Sequence, residues 1–171
     1  MPKGCNDYRI ANEAVAKGTI GSHFSMNRMS WIKPSFLWMM YSCDWCEKEN
    51  QEHVLAIDIK RDAFDYILNN HVLSTFDESM YKDYNTWRGL SSKSDIICQW
   101  DPERDIYGNP LGYRSIQIGL RNKAVKKYVN DWIINIEDIT DYVKDSKMKR
   151  DNGEDILELL PKENIYKIHT F

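Results

Sequence analysis

The chain is 171 residues long, enough for one domain that buries most of the surface its unfolded form exposes. With 23 Lys and Arg against 26 Asp and Glu, its formal charge is −3, which argues against a general nucleic-acid binder and leaves local basic patches open. No segment has signal-peptide character or the length of roughly 20 apolar residues that a bilayer requires, so a cytoplasmic location and no membrane partner are expected.

Asn6 or Asp7 can cap a first short helix through Tyr8, Ile10, Ala11, Ala14 and Val15, with Gly18 as its stop. Thr19 to Asn27 reads as a loop. A histidine in such a loop is usually solvated, but His23 precedes Arg28 closely enough to share its surroundings and is an acid or base candidate.

From Arg28 to Tyr41 the chain concentrates Trp31, Trp38, Phe36, Leu37 and three methionines beside two cations and two serines. Proline has φ fixed near the helical value and no N–H, so Pro34 is expected to open a helix. Phe36, Leu37, Met40 and Tyr41 recur at helical spacing, while Trp38 and Met39 fill the other sides, the pattern of a helix covered all round by protein. Arg28, Ser30, Lys33 and Ser35 then cluster at the helix entrance, where free backbone N–H groups favour an anion such as phosphate or carboxylate. The plainer account of the same residues is a capping serine and cations paired with surface carboxylates.

Cys43 and Cys46 form a C-x-x-C with His53 nearby, a spacing shared by half a zinc site and by redox dithiols. No second C-x-x-C or H-x-x-x-H follows. Cys5, Cys43, Cys46 and Cys98 are therefore expected as reduced thiols, and no metal is expected.

Val54 to Ile59 reads as a strand, after which Asp62 is expected to cap a helix facing inward with Phe64, Ile67 and Leu68. Asp77 can start a short helix through Met80, Tyr81 and Tyr84, and Gly89 with Ser91, Ser92 and Ser94 reads as loop. Tyr81, Tyr84 and Trp87 either stack on a base or sugar or form the inner face of a helix. Asp95 to Asp101 and Tyr113 to Gly119 have strand character, and the turn signals between them predict an antiparallel hairpin with a long polar loop. Its mouth would present Asp101, Glu103, Arg104 and Asp105 with Arg114 and Gln117. Such carboxylates and guanidinium groups suit a general base and an anion clamp, or else neutralise one another at the surface.

From Lys123 the residues Val125, Tyr128, Val129, Trp132, Ile133 and Ile136 fall on one helical face, a stripe expected to lie across a sheet. Asp138 can cap a further turn through Ile139, Tyr142 and Val143, and Lys144 to Asp155 reads as a solvated charged loop. Ile156 to Leu160 suggests a short helix stopped by Pro161, with Ile165 to Ile168 as an edge strand. The fold expected for residues 1–171 is a single α+β domain, in which the 54–59, 95–101 and 113–119 strands form a small, mainly antiparallel sheet. A buried central helix and a C-terminal amphipathic helix pack on it.

Three stretches, Arg28-Met-Ser-Trp-Ile-Lys-Pro-Ser-Phe-Leu-Trp-Met-Met-Tyr41, Gln99-Trp-Asp-Pro-Glu-Arg104 and Arg114-Ser-Ile-Gln-Ile-Gly-Leu120, stand in this order. Together they resemble the domain-of-unknown-function family 4291 of small bacterial and fungal proteins. The likeness runs from about Tyr8 to about Tyr166; it implies one intact domain and carries no particular activity. Cys43 and Cys46 depart from the family's pattern, which counts further against a metal there.

The residues point first to an enzyme handling a phosphorylated or nucleotide-like small molecule or a nucleic-acid end. Arg28, Lys33 and Arg114 would hold anionic groups, with Trp31, Ser35, Trp100, Arg104 and Gln117 completing the binding set. Glu103 or Asp101 would supply a carboxylate for proton abstraction or for stabilising a cationic sugar-like transition state. Transfer of an ADP-ribosyl group from NAD is one concrete version; glycine-rich phosphate loops of the P-loop or Rossmann type are missing from the sequence. The alternative is a non-catalytic module that recognises a nucleic-acid end, a modified base or a partner protein through Trp31, Trp100 and nearby cations. An enzyme site requires Arg28 and Glu103 to converge on one concave pocket, whereas a binding face requires a shallow aromatic and basic strip.

Overall fold

The computed structural model describes residues 2–5, 8–21 and 24–167. The expected caps Asn6 and Asp7, and His23, lie outside them. Helix α1 (Tyr8–Lys17) ends at Gly18, whose φ of +64° is the left-handed conformation that closes a helix without Cβ strain.

The strands are β1 (Pro2–Cys5), β2 (Ser30–Ile32), β3 (His53–Ile59), β4 (Val72–Leu73), β5 (Ile96–Arg104), β6 (Pro110–Leu120) and β7 (Ile133–Asp138). The α+β class holds, and the strands divide between two sheets, one ordered β1-β3-β7 and the other β2-β6-β5-β4. All pairings are antiparallel except β4 with β5. The 54–59 strand therefore does not share a sheet with the hairpin. The β5–β6 hairpin is longer than its sequence suggested, with a turn confined to residues 105–109, because pairing continues past Pro102 through a register shift before Arg104.

The remaining helices are α2 (Phe36–Cys43), α3 (Arg61–Asn69), α4 (Tyr84–Lys93), α5 (Asn122–Lys127) and α6 (Thr140–Asp151). The main core lies among α1, α3, α5, β3, β7 and the inner face of β5–β6, with Leu55, Ile57, Ile67, Ile118, Val125 and Tyr128 fully buried. A second core joins α2, the turn after it, Val54, Val143 of α6 and Ile156.

Four local expectations are corrected. The amphipathic helix continues from α5 through a wider π-helical turn only to Trp132, and Ile133 to Asp138 becomes β7. Isoleucine at 133 and 136 fits helical spacing, but the β-branched run is taken by pairing with β3, where Ile57 faces Ile136. The supposed loop at Gly89 to Ser92 is helical; the Asp83 carboxylate caps α4 by accepting the Thr86 N–H at 2.7 Å, and Phe76, Tyr84 and Trp87 cluster beneath it. The charged run after Lys144 is the body of α6, supported by the i,i+4 pairs Lys147–Asp151 and Lys149–Asp145. Residues 165–167 form no strand, and Ile165 is exposed.

Candidate functional site

Helix α2 starts two residues later than Pro34 suggested. Ser35 is its N-cap, and its hydroxyl accepts the Trp38 N–H at 3.2 Å. The free N–H of Phe36 donates to Glu163 Oε1 at 2.6 Å. The chain's own carboxylate thus occupies the anion position expected at the helix entrance, so an exogenous anion has no place there. Desolvation at the helix start raises the Glu163 pKa against the opposing Phe36 hydrogen bond, with Glu103 adding to the rise. A raised folded value means that folding favours the protonated form. Stability is then lost as pH climbs from 4.5 through the raised value. Glu163→Gln keeps an acceptor for Phe36 and should remove that loss. Melting temperatures of the two proteins, measured across this pH window, should diverge as pH rises, with the wild type falling behind.

Lys33 lies between β2 and α2, and alternation along the hairpin determines what stands near it. Cross-strand partners share a sheet face, so Gln99 with Gln117 and Asp101 with Ser115 lie on one side, and Trp100 with Ile116 and Pro102 with Arg114 on the other. On the first side the Asp101 carboxylate is held by two amides, Gln99 Nε2 to Oδ1 and Gln117 Nε2 to Oδ2, both at 2.9 Å. Helix α2 covers this side. Trp31, on β2, stands over Gly119, where an added Cβ would come within 3.1 Å of its ring and 2.6 Å of Met29 Sδ.

A cleft of about 660 Å³ opens here. Lys33 and Gln117 line it, with Trp38, Tyr41 and Ser42 from α2 on one wall and Tyr107 and Gly108 from the hairpin turn on another. Lys48 and, from α6, Arg150 and Asp151 complete it. The Arg104 guanidinium lies 5.4 Å from the Trp38 ring centre and 4.0 Å from that of Tyr41, and the two rings stack on each other at 5.2 Å. Arg150 packs over Trp45 and donates to the Ile106 carbonyl at 2.9 Å, tying the hairpin turn to α6.

Between α2 and Lys48 the cleft wall includes Asp44 and Trp45, which with Cys46 make three consecutive left-handed residues at φ of 49°, 50° and 71°. Such backbone is costly for residues with a Cβ. Here it is held by Trp45 N–H to Met40 O, Lys48 N–H to Cys43 O and the burial of Trp45 and Cys46. The turn brings the two thiols together. Cys46 hydrogen-bonds Cys43, which lowers the Cys43 pKa and raises that of Cys46.

Lys33 is only 7% exposed, and its side chain makes no hydrogen bond or ion pair with any described residue. Burial lowers its pKa, against the opposing pull of Cys43 and Asp101. Trp38 is 8% exposed and its indole N–H is likewise without a partner among the described residues, as are the Arg104 Nε and the Ser115 hydroxyl.

Of the residues anticipated from sequence, Lys33 and Gln117 line this cleft, Asp101 stands behind Gln117, and Arg104 stands behind Trp38 and Tyr41. Trp100 and Arg114 lie instead in a second cleft of about 450 Å³ on the other sheet face, with Phe76 and Asp77. Arg28 is exposed ahead of β2 and Glu103 is buried, its carboxylate accepting the Arg104 N–H at 2.8 Å; neither lines either cleft. Sequence reasoning missed Lys48, Tyr107 and Arg150, whose distance along the chain gave no sign of convergence.

No helix among the described residues is long and apolar enough to cross a membrane. The chain matches no curated protein and no solved structure. The family model described as a domain of unknown function, DUF4291, matches residues 5–166. That span takes in every strand except most of β1, all six α-helices and every residue of the cleft: the chain belongs to the DUF4291 family.

Proposed function

We propose that the protein binds a phosphorylated, nucleotide-like small molecule in the cleft between α2, the hairpin turn and α6. The observation that carries this reading is a surplus of buried donors. Lys33 is 7% exposed and the Trp38 indole N–H is fully buried, both in the cleft wall, and neither has an acceptor among the described residues. A buried donor left unpaired costs about 1–3 kcal/mol, more when charged, and an acceptor-rich anion relieves that cost. Lys48 adds positive charge to the lining, where Arg150 is paired with Asp151 at 2.6 Å, the Tyr41 and Tyr107 rings offer faces for a base or sugar, and the volume falls within the range of about 300–1,000 Å³ usual for ligand pockets. Transfer of an ADP-ribosyl group from NAD is the group-transfer form of this reading, and Asp101, whose charge reaches Lys33, is its carboxylate.

Thermal unfolding with ADP, NAD and sugar phosphates tests it. One ligand class should stabilise the wild type by about 2.7 kcal/mol at a hundredfold excess over its Kd. The effect should vanish in Lys33→Ala and persist in Arg28→Ala and Arg114→Ala, whose side chains lie outside the cleft. No stabilisation by any of these ligands, or its loss on replacing Arg114 instead of Lys33, overturns the assignment.

A further inference from the structure

Lys147 and Lys149 are paired with Asp151 and Asp145 at 2.9 and 2.7 Å, which raises their pKa and holds the ammonium charged. Lys33 is the reverse: buried, at the floor of an open cleft, and with no carboxylate within ion-pair distance among the described residues. Cys43 and then Asp101 are the acidic influences on it, and Asp101 has both oxygens engaged by Gln99 and Gln117. Burial lowers the Lys33 pKa against the opposing pull of Cys43 and Asp101, which gives Lys33 a larger share of neutral amine, with a free electron pair, than an ordinary lysine has.

We propose that Lys33 is a nucleophile that forms an imine with the carbonyl carbon of a phosphorylated aldehyde or ketone held in this cleft. The proposal rests on the anion-binding reading above and specifies the ligand's reactive group. The Lys33 nitrogen donates its electron pair to the carbonyl carbon while the C=O π pair moves to oxygen, and a proton passes from nitrogen to oxygen to give the carbinolamine. The carbinolamine expels its oxygen together with the remaining amine proton as one water, leaving a C=N bond, and a proton taken from solvent makes this a cationic iminium. The negative charge of Asp101 then favours the cation that the unreacted lysine could not comfortably carry. Lys48, which also lines the cleft, suits the phosphate.

Pyridoxal 5′-phosphate, a phosphorylated aldehyde, is a direct probe. The full-length protein is incubated with it, reduced with borohydride, digested and mapped by mass spectrometry. Parallel samples receive pyridoxal, which lacks the phosphate, and pyridoxine 5′-phosphate, which lacks the aldehyde. Labelling should go to Lys33 about tenfold faster than to the exposed Lys123, because burial shifts Lys33 toward the free amine. Pyridoxine 5′-phosphate should slow the reaction by occupying the cleft, and Lys33→Arg should leave only slow surface labelling. If pyridoxine 5′-phosphate raises the melting temperature while Lys33 stays unlabelled, the imine is overturned and the anion site stands. If pyridoxal labels Lys33 as fast as its phosphate ester does and pyridoxine 5′-phosphate has no effect, the phosphorylated substrate class is overturned along with the anion site. Because the decisive measurement uses wild-type protein, a poorly folded variant does not blunt it.

Discussion

Lys33→Met is expected to make the free protein more stable, by about 1–3 kcal/mol, while removing the stabilisation that an anionic ligand confers. An unbranched apolar chain of similar length fills the same space and brings no charge into a wall where Lys33 finds no partner among the described residues. The pH dependence gives the sign. Because the folded value is lowered beneath the ordinary 10.5, the folded state binds fewer protons than the unfolded chain between those two values, and wild-type stability rises with pH across that window. The penalty is full below the lowered value and gone above 10.5, so the advantage of Lys33→Met should be largest near neutrality and shrink toward alkaline pH. Urea unfolding of both proteins at neutral and alkaline pH measures it; a destabilised variant at neutral pH would mean that Lys33 is held by a favourable interaction in the free protein. Gain of stability with loss of binding is the trade expected of a residue kept for function.

The second large effect concerns the central strand of the four-stranded sheet. Ile118 is 0% exposed and is flanked on both sides, by Ile32 of β2 and Cys98 of β5. Ile118→Ala should cost about 2–5 kcal/mol, since the sheet on either side prevents the site from collapsing around the lost atoms. Tyr113→Ala, on the same strand but 63% exposed, should change stability by less than about 0.5 kcal/mol. Chemical denaturation of the pair therefore tests the register directly, because a slip of one residue would exchange the sheet faces of the whole strand. Similar losses for both variants would contradict the pairing of β6 with β5.

Much of the secondary structure was legible because its signals are local. Gly18 stops α1 through its own backbone freedom, and the alternation of Ile116 and Ile118 with Ser115 and Gln117 marks β6. The misread segments are those where two local patterns coincide. Ile133 and Ile136 satisfy a helical period as well as a strand, and pairing with Ile57 and Ile59 decides between them. The mixed charges after Lys144 fit a solvated loop as readily as a helix face laced with ion pairs; burial of Val143 and Ser146 against the rest of the fold selects the helix. Around the cleft, Lys33 lines the wall, but the donor array expected at the helix entrance is not open, because Glu163, more than a hundred positions on, returns to fill it.

The sequence by itself determined the α+β class, the apolar character of α2, the strand faces of the hairpin and the presence of a lysine where charge is hard to place. Only the tertiary structure decided that Lys33, Lys48, Gln117 and Arg150 meet in one hollow, that Trp100 and Arg114 belong to another, and that Arg28 and Glu103 belong to neither. The reason is physical. Hydrogen-bond periodicity and backbone sterics act over a few residues and leave their mark in the local sequence, whereas burial of apolar surface is non-directional, and which distant segments share it depends on the packing of the whole chain.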